Sequence, residues 1–178
     1  MIDELTANPP ENSIILSFDE KGRTPVKHYE GRKWVDNRDE NGVNMLYKTP
    51  GKQNVKGLLD YFAAKDIHSG KIYHAYYDWK NAFIAIDFCE RLLRKVPSKI
   101  IYLILDCWSV HRSKELKIFC DLNPRLRLVF LPTNASWMNL IERFFSQVER
   151  FVLRNSNFQN VGELMSALSS FVTFGALI

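Results

Sequence analysis

Two apolar runs, each closed by an aspartate, constrain this chain more than any other feature. The first is Ser13-Ile14-Ile15-Leu16-Ser17-Phe18 before Asp19; the second is Ile100-Ile101-Tyr102-Leu103-Ile104-Leu105 before Asp106. Runs of this kind read as buried strands, and an acid that follows one emerges at the rim of the sheet, within reach of water and cations. A third acid, Glu142, lies in Trp137-Met138-Asn139-Leu140-Ile141-Glu142-Arg143-Phe144-Phe145, where the apolar spacing is helical. Two such strands side by side, with a helix laying a third carboxylate across them, would hold two divalent cations about 4 Å apart.

The remaining pattern fits one α/β domain. At 178 residues the chain is long enough to bury a core, and 46% hydrophobic with 25% charged residues is ordinary for a globular protein. The net charge of +4 permits nucleic-acid binding without demanding it. No apolar run approaches the roughly 20 residues of a membrane span, so no membrane partner is expected. Cys89, Cys107 and Cys120 form no C-x-x-C pair and read as packing residues rather than zinc ligands.

Residues 1–12 read as an irregular lead-in and 13–18 as the first strand. One or two short hairpins (Val26–Tyr29, Asn44–Lys48) follow within 19–57, then a strand over 58–64 and its hairpin partner over 71–77. A helix runs from Trp79 to Lys95 and stops before Pro97, with Phe83 among its apolar positions. A strand over 99–105, a helix over 113–122 and a strand over 127–131 come next. Ser136 is placed to cap a helix running to about Leu153, and Asn160 to cap another over 161–171. This order predicts a mixed central sheet with helices on both faces, as in the ribonuclease-H-like fold, with the first and fourth strands adjacent so that Asp19 and Asp106 meet.

On a 100° helical wheel Ile141, Phe145, Val148 and Val152 share one arc, extended by Phe144 and Phe151. Glu142 sits at the arc's edge. Arg143, Gln147, Arg150 and Arg154 share the outward face, which is either a solvated helix surface or a track for DNA phosphates. Lys21 and Arg23 concentrate charge just after Asp19 and carry the same two readings. Glu20 points away from Asp19 if the strand continues through it. His111 either contacts an active-site carboxylate or scissile phosphate, or caps the next helix. Trp137 and Phe130 read as core; Trp108 reads as a lid over the core or a wedge against DNA.

Leu16-Ser17-Phe18-Asp19-Glu20-Lys21, Tyr102-Leu103-Ile104-Leu105-Asp106, Val110-His111-Arg112-Ser113 and above all the block from Val129 to Phe145 resemble a DDE transposase. The resemblance is to the mariner-like superfamily, in its bacterial insertion sequence 630 family, and covers roughly residues 13–170. It implies DNA cleavage at element ends and strand transfer into target DNA with two Mg²⁺ or Mn²⁺ ions, held by Asp19, Asp106 and Glu142. It implies double-stranded DNA as partner, a homodimer in the DNA complex, and a prokaryotic, nucleoid-associated cytoplasmic location. Cys107 stands where the family often has Asn, which bears on how Asp106 is oriented. The family's helix-turn-helix reader has no counterpart in residues 1–12, so 13–172 is expected to be a catalytic domain and 173–178 an abrupt apolar tail. The alternative is a truncated or inactive fragment that binds DNA or pairs with a full-length transposase.

Overall fold

The computed structural model describes residues 2–29, 32–38, 44–50, 53–107, 109–132, 138–154 and 156–175. Among the described residues there are seven strands: β1 (Ser13–Tyr29), β2 (Arg32–Arg38), β3 (Asn44–Pro50), β4 (Gln53–Asp66), β5 (Ile72–Tyr77), β6 (Ile100–Leu105) and β7 (Leu126–Phe130). Five of them form one sheet in the spatial order β5-β4-β1-β6-β7, while β2 and β3 make a separate hairpin. β1 runs antiparallel to β4 and parallel to β6, and β6 is parallel to β7. The sheet is therefore mixed, in the order expected of the ribonuclease-H-like fold.

Side chains alternate across β1 and β4 and so build two cores. On one face Phe18, Phe62, Ala64, Leu103 and Leu105 pack against Phe88 and Leu92 of α2 (Ala82–Lys95) and Leu116 of α3 (Lys114–Leu122). On the other, Val26, Leu59, Tyr61 and Ala63 meet Ile141, Phe144, Phe145 and Val148 of α4 (Ile141–Val148), and Leu164 and Leu168 of α5 (Val161–Ser170). Helices thus cover both faces. Side-chain caps begin three of them: Asn81 for α2, Ser113 for α3 and Asn160 for α5, each accepting a backbone N–H from the first turn.

Three differences from the sequence reading have physical causes. Residues 2–7 form a short helix, α1 (Ile2–Ala7), whose Ile2 and Leu5 pack on Ile15, Ile104 and Leu131. The first strand does not stop at Phe18 but continues to Tyr29, because β4 pairs with it beyond the point where β6 ends. Its polar second half bends at a bulge between Lys21 and Thr24, where Arg23 adopts a φ of 47° and donates its N–H to the buried Asp60 carboxylate at 2.6 Å. The helix expected to run to Leu153 is α-helical only to Val148 and then widens into a π-helical turn, Glu149–Leu153. That turn leaves Phe151 58% exposed rather than in the apolar arc; Phe83 of α2 is also exposed, at 70%. Ser136, Trp137 and Trp108 lie outside the described residues.

Candidate active site

The rim of the sheet becomes a site because β6 is shorter than β1. The last β1–β6 pair is Ser17↔Ile104. Two residues further along each parallel strand direction, and on the same face, come Asp19 and Asp106. Asp19 still lies within a strand, paired with Ala63 of β4, whereas Asp106 has just left one. Glu142 enters from above in the first turn of α4. Burial pushes the Asp19 carboxyl up to about 8, and the negative charges of Glu20, Asp106 and Glu142 push the same way, against one lowering hydrogen bond from the Glu20 N–H at 2.8 Å. The other two acids singled out by sequence thus act on Asp19.

Such a concentration of carboxylates is what a divalent cation relieves, and oxygen donors of this kind suit Mg²⁺ or Mn²⁺. The residues present fit that group. Among the described residues no three His, Cys, Asp or Glu side chains are already gathered into a closed metal cage. Asp19, Asp106 and Glu142 are in electrostatic range without converging on one point.

Glu20 points to the opposite face, as strand alternation requires, and there it joins a second polar cluster. Its nearly buried carboxylate meets Lys80 Nζ at 3.1 Å and His111 Nε2 at 3.4 Å. His111, only 2% exposed, places its Nδ1 2.9 Å from Asp106 Oδ1 and its ring 5.4 Å from that of Phe18. Burial opposes a charged His111, but the hydrogen bonds and charges of Glu20 and Asp106 outweigh it and hold its pKa above the ordinary value. His111 thus spans from Glu20 to Asp106. It does not cap α3, which is the work of Ser113.

Cys107 turns its thiol to the end of β7 and to Arg112. Its thiol donates to the Leu131 carbonyl at 3.2 Å and accepts from Arg112 at 3.0 Å, tying the ends of β6 and β7 together. Phe130 is partly buried beneath the Arg112 guanidinium. Lys21 pairs with Glu149 at 2.9 Å, and Arg23 is exposed at the bulge. Arg143, Arg150 and Arg154 are all exposed, but the π-helical turn breaks the single stripe that a continuous helix would give: Arg150 stacks over Phe151, and Arg154 already has extended backbone.

Sequence reasoning missed the polar clamp that seats α4. Asn139 is 1% exposed; its Nδ2 donates to the Phe18 carbonyl at 2.9 Å, and its Oδ1 accepts from the Ser17 hydroxyl. The partners are 121 and 122 residues apart, so no local pattern announces them.

A family model described as DDE superfamily endonuclease matches residues 14–165. The insertion element IS630 uncharacterized 39 kDa protein of Shigella sonnei is 28% identical over 127 residues. That match covers 70% of this chain and 36% of the relative, so the chain spans about a third of the length of the curated protein it matches. Among solved structures, the catalytic domain of Mos1 mariner transposase superposes with a TM-score of 0.64 at 10% identity, covering 97% of this chain and 76% of that one. A Mos1 transposase paired-end complex with the left transposon end gives 0.65 at 12% identity, over 97% and 51%. A Mos1 mariner paired-end complex with Mn gives 0.64 at 14% identity, again over 97% and 51%. At these identities the superpositions show a shared fold.

Proposed function

The chain belongs to the DDE superfamily endonucleases, and from that premise we propose that it is the catalytic part of a transposase, cutting DNA at element ends and joining them to target DNA. The observation that carries this is the mutual charge of Asp19, Asp106 and Glu142 where β1 outruns β6. These three side chains would hold two Mg²⁺ or Mn²⁺ ions. When bound, such ions activate a water or 3′-hydroxyl for attack on phosphorus and stabilise the leaving oxygen. The protein's own part is positional. Asp19 is fixed by strand pairing to β4, Glu142 by the seat of α4, and Asp106 by its contact with His111, which Glu20, itself paired with Lys80, holds from behind.

Double-stranded DNA is the proposed substrate, with exposed Arg143, Arg150, Arg154 and Arg23 available to its phosphates and Lys21 engaged with Glu149 until DNA competes for it. Pairing of two element ends would place two copies of the chain in one complex; the Mos1 paired-end complexes are the motive for that reading.

The test is Mn²⁺- and Mg²⁺-dependent nicking of plasmid DNA by the purified chain, with Glu142→Gln beside it. Metal-dependent nicking that drops at least about 100-fold in the variant is expected. A folded chain that binds DNA but does not nick it would instead favour a fragment that works only with a full-length partner.

A further inference from the structure

Helix α4 has no side-chain cap of its own: Leu140, the residue before it, makes no such hydrogen bond. The cap comes from another element. The Ile141 N–H donates to the Ser17 hydroxyl of β1 at 3.0 Å, and the Glu142 N–H donates to the Asn139 carbonyl at 3.0 Å. Ser17 in turn donates to Asn139 Oδ1, and Asn139 Nδ2 donates to the Phe18 carbonyl, one residue past the last β1–β6 pair. Three hydrogen bonds thus tie Ser17 and Phe18, the two residues before Asp19 in β1, to Asn139 and the first turn of α4. Ser17 and Asn139 are both 1% exposed, so water cannot substitute for a lost partner without rearrangement.

We infer that Ser17 and Asn139 are positioning residues that set the placement of Glu142 against Asp19. The reasoning is geometric. Glu142 is three residues beyond Asn139 and one beyond Ile141, while Asp19 is two beyond Ser17 on the same strand face. An α4 start held only by its apolar residues could slide or tilt on the sheet, because hydrophobic contact is not directional. The three hydrogen bonds to β1 remove that freedom at the end of the helix that carries the acid. The inference rests on the proposed role of Glu142 and adds the groups that place it.

Two measurements test it. In the metal-free protein, amide hydrogen exchange at Ile141 and Glu142 reads the latch itself. Ser17→Ala and Asn139→Ala should speed exchange there by about tenfold or more relative to amides at the other end of α4, and Ser17→Thr, which keeps the hydroxyl, should restore protection. Mn²⁺ titration then reads the consequence: the two alanine variants should bind about 10- to 100-fold more weakly, as when a ligand loses its supporting hydrogen bonds. Val148→Ala, a core truncation at the far end of α4, serves as the control for mere destabilisation and should leave Mn²⁺ affinity near that of the parent chain. Unchanged exchange and Mn²⁺ binding in Ser17→Ala and Asn139→Ala would overturn the inference, as would an equal loss in Val148→Ala. If Glu142→Gln itself leaves Mn²⁺ binding unaltered, the metal role of Glu142 fails and this inference falls with it; if Glu142→Gln weakens binding and the latch variants do not, only the latch fails.

Discussion

With its pKa pushed to about 8 by burial and by Glu20, Asp106 and Glu142, the Asp19 carboxyl keeps a proton in the folded, metal-free protein that the unfolded chain releases near pH 4. The folded state therefore binds more protons than the unfolded state between about pH 4 and about pH 8. The stability tied to this group is present below that window and is lost as pH rises through it. Asp19→Asn removes the titration while nearly preserving the side chain's shape. In chelator, the melting temperature of the variant relative to the parent should rise between pH 5 and pH 9, the gap being widest at the alkaline end. Equal gaps at both pH values would show that Asp19 carries no such strain. The same proton competes with a cation, so Mn²⁺ affinity of the parent chain should increase from pH 6 towards 8. A carboxylate that destabilises the fold and gains only when a cation arrives is the residue-scale signature of a site kept for chemistry.

At the scale of elements, contact between β4 and α5 turns on one glycine. Gly57 has a φ of 153°, and a Cβ there would lie 2.6 Å from Val161 Cγ2. Gly57→Ala should cost about 1–3 kcal/mol in denaturant unfolding through strain and forced separation of the two elements. A loss below about 0.5 kcal/mol would mean that α5 gives way freely. The elements that were legible in the sequence are those whose neighbours are mostly local or whose faces are all buried. Ile14–Phe18 and Ile100–Leu105 are covered on both sides and show it in composition; Asn160 announces α5 with a side chain next to the helix it caps. The stretch of β1 that joins Phe18 to Val26 was not legible, since Lys21, Gly22, Arg23 and Pro25 are poor strand formers held in place by β4. Nor was the π-helical turn, because a wheel drawn at 100° assumes the α-helix it is meant to detect. Among the candidate site residues, the strand-end and helix-edge pattern marked Asp19, Asp106 and Glu142. Asn139 and Ser17 carried no such mark, as their partnership exists only once α4 has docked on the sheet.

For the molecule as a whole, the two cores meet the rim differently, and this decides how a cation should act on stability. Glu142 belongs to α4 on one face, while Asp106 is held through His111 from the other, and Asp19 lies on the strand between them. A cation bridging these acids would join layers that otherwise share only the sheet, and by binding the folded state alone it would raise global stability rather than that of one loop. At 100 times its dissociation constant that amounts to about 2.7 kcal/mol. For a chain of this size the melting temperature should rise by roughly 5–10 °C. The rise should be larger at pH 8 than at pH 6, because the Asp19 proton must leave first. Asp106→Asn should abolish most of it. A full cation-induced rise in Asp106→Asn would place the bound ion away from the rim and detach the acids of the sheet from metal binding altogether.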